Sequence, residues 1–304
     1  MILQFNYNTP WPKLTDPLIP LGETVLSKLA QLSLLLLSQE LWITIFLAYG
    51  YLILDQKKYG KAFFLLLFTM VYNTYLKSIW QIPLPATLMS QGWCFPSGHM
   101  HVAIVLWGWL AWEYGNYWLM ALLAVLWAGA GFALVDLGYH YPVDIWGAWL
   151  FGLVSLLVYG WISELPYLKQ RPPILGVLLA IIAAPMAYLL PAAAKQAHVW
   201  LSLGGLLGFS LGWTLSHQWP VRQPISIKGQ FQCLLLMCLG LGLVDLLSFG
   251  LANYLSRNAF FEFSRFFAMA LWISLGSLWA WNKWFLSGSR TKIWALHEES
   301  YKEK

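Results

Sequence analysis

Charge is what this chain has least of. Only 10% of its 304 residues are Asp, Glu, Lys or Arg, against about 25% in soluble globular domains. A surface so poor in polar groups excludes an ordinary water-soluble fold. Cysteine is also scarce. Cys94, Cys233 and Cys238 are the three in the chain; they make neither a disulfide framework nor a metal-ligand spacing, and Cys233 and Cys238, inside an apolar run, read as inert core thiols. The net charge of +5 is small and scattered, which argues against nucleic acid as a partner. The opening "MILQFNYNTPWPKLTDPLIP" lacks the basic, apolar and small-residue order of a cleavable signal, so no removal is expected.

What fills the space is apolar. The chain is 59% hydrophobic, has mean hydropathy +0.60 and carries 20 tryptophans, many near the ends of apolar runs. Tryptophan favours the membrane–water interface. This composition predicts an all-α polytopic membrane bundle. A spanning helix needs roughly 20 apolar residues, and about nine such runs occur, near 39–55, 62–81, 98–114, 117–136, 143–162, 173–191, 198–215, 230–250 and 266–286. The shorter run 22–37, with Glu23 and Lys28, reads as an interfacial or partly inserted helix.

Lysine and arginine then orient the bundle. Lys57, Lys58, Lys61, Lys169, Arg171, Arg222, Lys228, Lys283, Arg290, Lys292, Lys302 and Lys304 fall on one face if the nine spans alternate. Lys77, Lys195, Arg257 and Arg265 fall on the other. Twelve against four makes the first face cytoplasmic. The third and fifth spans both begin on the opposite, non-cytoplasmic face, and Lys77, late in the second, approaches it.

Those two beginnings carry chemistry. In "CFPSGHMHVA", Ser97 can cap a helix, Gly98 leaves the backbone approachable, and the helix N-terminus suits an anion such as phosphate. His99, in the first turn, can protonate a leaving oxygen. In "GYHYPVD", Pro142 suits a first helical turn. His140 and Asp144 are four positions apart, near enough for the carboxylate to fix the imidazole tautomer and leave the other nitrogen to attack. Each cluster alone is compatible with a plain helix start and a satisfied interfacial histidine; their arrival on one face is what argues for a site.

"PSGH" at 96–99 and "HYPVD" at 140–144 resemble the second and third motifs of the type 2 phosphatidic acid phosphatase superfamily, which includes lipid phosphatases, undecaprenyl-diphosphate phosphatases, glucose-6-phosphatase and vanadium haloperoxidases. The resemblance covers about residues 62–162. It implies a phosphohistidine mechanism, with His140 as nucleophile, Asp144 orienting it and His99 as acid. It further implies Lys77, Ser97 and Gly98 as phosphate-binding groups, no metal and no cofactor. The implied substrate is a phosphorylated lipid such as phosphatidic acid or a polyprenyl diphosphate, met from the bilayer. The expected location is a bacterial inner membrane, with the site facing the periplasm or exterior. In domain terms, residues 1–38 form the N-terminal segment, 39–165 the phosphatase-like core, 166–286 additional spans and 287–304 a cytoplasmic tail.

Two departures stand out. Leu84 precedes Pro85 where the first motif has arginine, and Ala133 and Leu134 stand where the third begins serine–arginine. Three readings stay open: a phosphatase with positive charge supplied otherwise, from Arg257 or Arg265; a lipid phosphotransferase resembling sphingomyelin synthases; and a non-catalytic headgroup binder. Asp245 lies inside the eighth run with no obvious charged partner. Asp136 reaches either the site or interfacial water. His101 reads as a packing residue, and Gly204, Gly208 and Gly212 as a close-packing stripe.

Overall fold

The structure is a computed structural model describing residues 25–85, 92–194, 197–219, 221–252 and 258–286. Arg257 and Lys195, the segment before residue 25 and the tail from residue 287 therefore lie outside the described residues. Within them the chain is helical, without a strand. In chain order the helices are α1 (Val25–Ser38), α2 (Glu40–Tyr49, continued by a π-helical turn Gly50–Leu54), α3 (Gln56–Trp80), α4 (Gly98–Tyr114), α5 (Tyr117–Asp136) and α6 (Pro142–Ser163). There follow the short α7 (Pro166–Gln170), α8 (Pro172–Leu189), α9 (Ala197–Gln218), α10 (Ile227–Ala252), α11 (Ala259–Leu271, running on through a π-helical turn) and α12 (Ser277–Trp281).

Among the described residues, seven helices are long and apolar enough to cross a membrane, or up to eight if the bent pair formed by α1 and the α2 continuation is one span. The chain is an integral membrane protein of the all-α polytopic kind. The difference from nine expected spans has two sources. α4 has 17 residues, the low end of what a bilayer needs. The 39–55 run reaches span length only together with α1, which does not lie apart on the surface: Trp107 of α4 donates to the Leu37 carbonyl, and the Ser33 hydroxyl sits where a Cβ on Gly129 of α5 would be.

Local chemistry sets the boundaries. The Asp55 carboxylate accepts from the amides of Lys57 and Lys58 and so starts α3, while Gln81 in the left-handed region ends it. Asn116 caps α5 through the Leu119 amide, Asn258 caps α11 through that of Phe261, and Gly115 terminates α4 with φ +60°.

α3 is the central element, packed by α4, α8 and α9. α9 carries α11 along the glycine stripe: a Cβ on Gly204 would meet the Phe263 carbonyl oxygen at 2.2 Å, and one on Gly208 that of Phe267 at 2.3 Å. Without side chains there, the two backbones touch. Cys233 is buried, but Cys238, expected in the core, faces outward from α10, because that helix buries little of its surface against the bundle.

Since α3 runs one way and α4 and α6 begin where it ends, the bundle has two chemically distinct ends. At the end bearing the start of α3, Lys61 is 2% exposed and lies 3.2 Å from Glu113 and 3.5 Å from Glu164. Its carbonyl accepts from the Tyr159 hydroxyl. One lysine counted as a loop charge is thus a buried clamp on α3, α4 and α6. Lys61→Ala would strand Glu113 without its cation and is expected to destabilise the fold by about 3 kcal/mol. A fall in the detergent-solubilised melting temperature, with unchanged oligomeric profile, checks this.

Candidate functional site

At the other end, α3 finishes and α4 and α6 start. The chain leaving α3 doubles back on itself. Pro83 and Trp93 pair across an isolated antiparallel bridge, and the Cys94 amide donates to the Ile82 carbonyl at 2.9 Å. Phe95 then lies over α6 at Gly147, where a Cβ would come within 2.3 Å of its ring. A glycine is required there by that close approach. The turn delivers Ser97, whose amide donates to the backbone carbonyl of Asp144 at 3.0 Å. The first turns of α4 and α6 are thereby stitched together, although 47 residues separate them in sequence.

The second half of the site comes from the α5–α6 turn. Gly138, with φ +71°, ends α5 in the left-handed region, and the amides of Tyr139 and His140 both donate to the Leu134 carbonyl, at 3.0 and 3.1 Å. That closure places His140 over α6. Its Nδ1 lies 3.1 Å from Asp144 Oδ2, the oxygen that also accepts from the Tyr141 amide at 2.8 Å. Asp144 is 0% exposed and His140 8%. With Nδ1 committed to the carboxylate, Nε2 is the nitrogen able to act as nucleophile or base.

His99 and His140 face each other with ring centroids 6.5 Å apart and planes at 71°. Gly98 and His99 keep partial exposure. The Ser97 hydroxyl is wholly buried and has no hydrogen-bond partner among the described residues, while the Asp144 carboxylate has the Cys94 thiol beside it. Unpartnered buried polar atoms are rare and costly. Lys77, half-buried at the end of α3, donates to the Trp93 carbonyl at 2.9 Å, and its charge reaches His140. All six residues expected to form the site (His140, His99, Asp144, Lys77, Ser97 and Gly98) therefore lie at one end of the bundle.

Electrostatics follows from burial. His140 is held below the usual histidine value chiefly by desolvation, with the Asp144 hydrogen bond opposing and Lys77 adding to the depression. The Cys94 thiol, buried beside the Asp144 carboxylate, is pushed up to about 12. A thiol protonated at neutral pH is no nucleophile; Cys94 instead donates to the Pro83 carbonyl at 3.1 Å and holds the turn.

Several other groups were placed by the fold. The Leu134 side chain is 1% exposed and belongs to the hydrophobic core, and Leu84 packs toward Gly92. Arg265 is bound to Asp245 through two of its nitrogens and to Glu262 at 3.3 Å. This corrects the reading of Asp245 as lacking a charged partner: α10 and α11 bring the pair together from 20 residues apart. Asp136 is exposed. His101 is fully buried behind it, with Nδ1 3.2 Å from Asn73 Nδ2.

Asn73, Thr74 and His198 were not singled out from sequence. Asn73 donates to the Pro96 carbonyl at 3.4 Å, and its Oδ1 lies 3.2 Å from where a Gly98 Cβ would be. Thr74 Oγ1 lies 2.7 Å from His198 Nε2 at the start of α9. A signal existed for both elements: Asn73 and Lys77 stand four apart on one helix face, and α9 starts at the same end as α4 and α6.

Comparison with family models, with curated proteins and with solved structures gives no match to this chain.

Because the depressed His140 favours the neutral ring, its contribution to stability is present above about pH 6.5, the unfolded value, and is lost as pH falls through that value. The imidazole is expected to titrate below 6.5. Asp144→Asn removes an opposing effect and moves the titration lower still. The pH dependence of His140 carbethoxylation, read by peptide mass spectrometry, checks both.

Proposed function

We propose that the protein is an enzyme of phosphorylated lipids that works through a covalent phosphohistidine at its non-cytoplasmic end. One observation carries the reading: His140, oriented by Asp144, and His99 face each other with ring centroids 6.5 Å apart at the N-terminus of α4. The likeness of the "PSGH" and "HYPVD" stretches to the type 2 phosphatidic acid phosphatase motifs supports the same roles.

The steps follow from the geometry. A phosphate entering beside the rings meets the positive end of α4 and the unpartnered Ser97 hydroxyl. Lys77 supplies a full charge, with one of its three donors already used by Trp93. His140 Nε2 attacks phosphorus while Nδ1–H stays bonded to Asp144, which stabilises the positive charge that develops on the ring. His99 gives its proton to the departing oxygen. Water, activated by the same His99, then attacks the phosphohistidine and frees His140. A lipid alcohol in water's place turns hydrolysis into transfer, with no other change in the site.

The bilayer is part of this reading. Outward faces of α5 and α6 expose Leu122, Val125, Val143, Trp146 and Leu150 near or below the site. Acyl chains can lie against such a face while the headgroup enters between the histidines, so the substrate need not leave the membrane.

His140→Ala is expected to abolish turnover and acid-labile labelling by ³²P-lipid together. Asp144→Asn is expected to lower kcat by about 10²–10⁴. His99→Ala should slow substrates with alkoxide leaving groups by a similar factor, and 4-nitrophenyl esters, which need no proton, far less. The assay is purified protein in nanodiscs with phosphatidic acid, a polyprenyl diphosphate, and a ceramide-type acceptor plus phospholipid. Full activity in His140→Ala would end the phosphohistidine reading.

A further inference from the structure

The turn that starts α4 is held from two sides. On the α6 side, the Ser97 amide donates to the Asp144 carbonyl at 3.0 Å. On the α3 side the turn meets Asn73, a buried side chain. Its Nδ2 donates to the Pro96 carbonyl at 3.4 Å and lies 3.2 Å from His101 Nδ1, while its Oδ1 lies 3.2 Å from where a Cβ on Gly98 would be. The carboxamide can face only one way. A proline carbonyl accepts and never donates, so the nitrogen points at Pro96. The same nitrogen donates to His101 Nδ1, which leaves the His101 proton on Nε2. One carboxamide thus touches positions 96, 98 and 101 and brackets both Ser97 and His99.

Resting on the phosphohistidine reading above, we propose that Asn73 is the positioning residue for the proton donor His99. Gly98 and His101 stand three apart on one face of α4, and His99 lies about 100° round the axis from Gly98. With Ser97 pinned to α6, the contacts with Asn73 fix the rotation of the first turn about that axis. They thereby fix the direction in which His99 meets His140, at 6.5 Å between ring centroids. Lys77, four residues further along α3, donates to the Trp93 carbonyl. α3 therefore grips the incoming chain at two carbonyls, those of Trp93 and Pro96. Gly98 gains a second reason to be glycine, because a side chain there would press on the Asn73 carboxamide.

The step that Asn73 serves is the first. His140 Nε2 bonds to phosphorus, the P–O bond to the leaving group breaks, and the proton on His99 passes to the departing oxygen. An alkoxide needs that proton; 4-nitrophenolate leaves without it. A His99 displaced by about 1 Å costs about 10² in rate where the proton is needed and little where it is not. Because kcat/KM runs only as far as the first irreversible bond cleavage, the ratio of kcat/KM for the two leaving groups reports on His99 alone.

The test uses the full chain in nanodiscs with dihexanoyl phosphatidic acid and 4-nitrophenyl phosphate. Asn73→Asp keeps the shape but turns an oxygen toward the Pro96 carbonyl; Asn73→Ser shortens the side chain without adding charge. Each is expected to lower kcat/KM about 10²-fold for phosphatidic acid and less than about tenfold for the nitrophenyl ester. Added to His99→Ala, Asn73→Asp should cost less than about threefold more, since both changes act on one group. Carbethoxylation of His99, read by peptide mass spectrometry, should change in rate while that of His140 does not. Thr69→Val is the control: it is equally buried on α3, its hydroxyl bonds only the Leu65 carbonyl of its own helix, and it should leave the ratio unchanged. Equal slowing of both esters, with His140→Ala still inactive, overturns this inference and leaves the phosphohistidine reading standing. Loss of folded protein in both Asn73 variants does the same, assigning Asn73 to stability. Turnover of neither ester by the unaltered chain, with no adduct on His140, overturns both.

Discussion

A single backbone hydrogen bond, from the Ser97 amide to the Asp144 carbonyl, ties together the two helix beginnings on which the rest depends. It fixes the N-terminus of α4 against the first turn of α6. Asp144 serves three partners from that position: it gives its carbonyl to Ser97, and its carboxylate to the Tyr141 amide and to His140. A group so engaged and wholly buried has few ways to move. Its position sets the tautomer and direction of the His140 ring, and through α4 it sets where His99 stands.

The bilayer explains why such a tie is possible and why it is needed. A hydrocarbon core forces each crossing to satisfy its own backbone, so irregular chain collects at the two ends of the bundle. Both histidine-bearing turns therefore sit where helices start. The opposite end is built from the same elements with the charges arranged to hold: Lys61 between Glu113 and Glu164 binds α3, α4 and α6 where they diverge from the site. One end is saturated with ion pairs. The other keeps the Ser97 hydroxyl buried without a hydrogen-bond partner among the described residues.

Much of this was legible along the chain. Apolar run lengths marked the crossings, lysine and arginine counts set an orientation, and the parity of the crossings put His99, His140 and Lys77 at one end before any coordinate. The span count differs from nine only where length is marginal, at the 17-residue α4 and at the break between α1 and α2. The lone-looking Asp245 was misjudged for a related reason. Its partner Arg265 is on the next helix, and run-by-run reading cannot see across a helical hairpin.

Composition and periodicity by themselves determined that the chain spans a membrane as helices, because a 10% charged sequence has no other way to satisfy its surface. They determined, too, which residue types stand at the helix starts, since caps, prolines and glycines act over a few neighbours. Only the tertiary structure decided what stands around those starts. It put Leu134 in the core, sent Arg265 to Asp245, buried Lys61, and set Asn73 and His198 behind and beside the histidines. Those outcomes depend on which helix packs against which and at what rotation, a balance of side-chain volumes over the whole bundle that no short stretch of sequence contains.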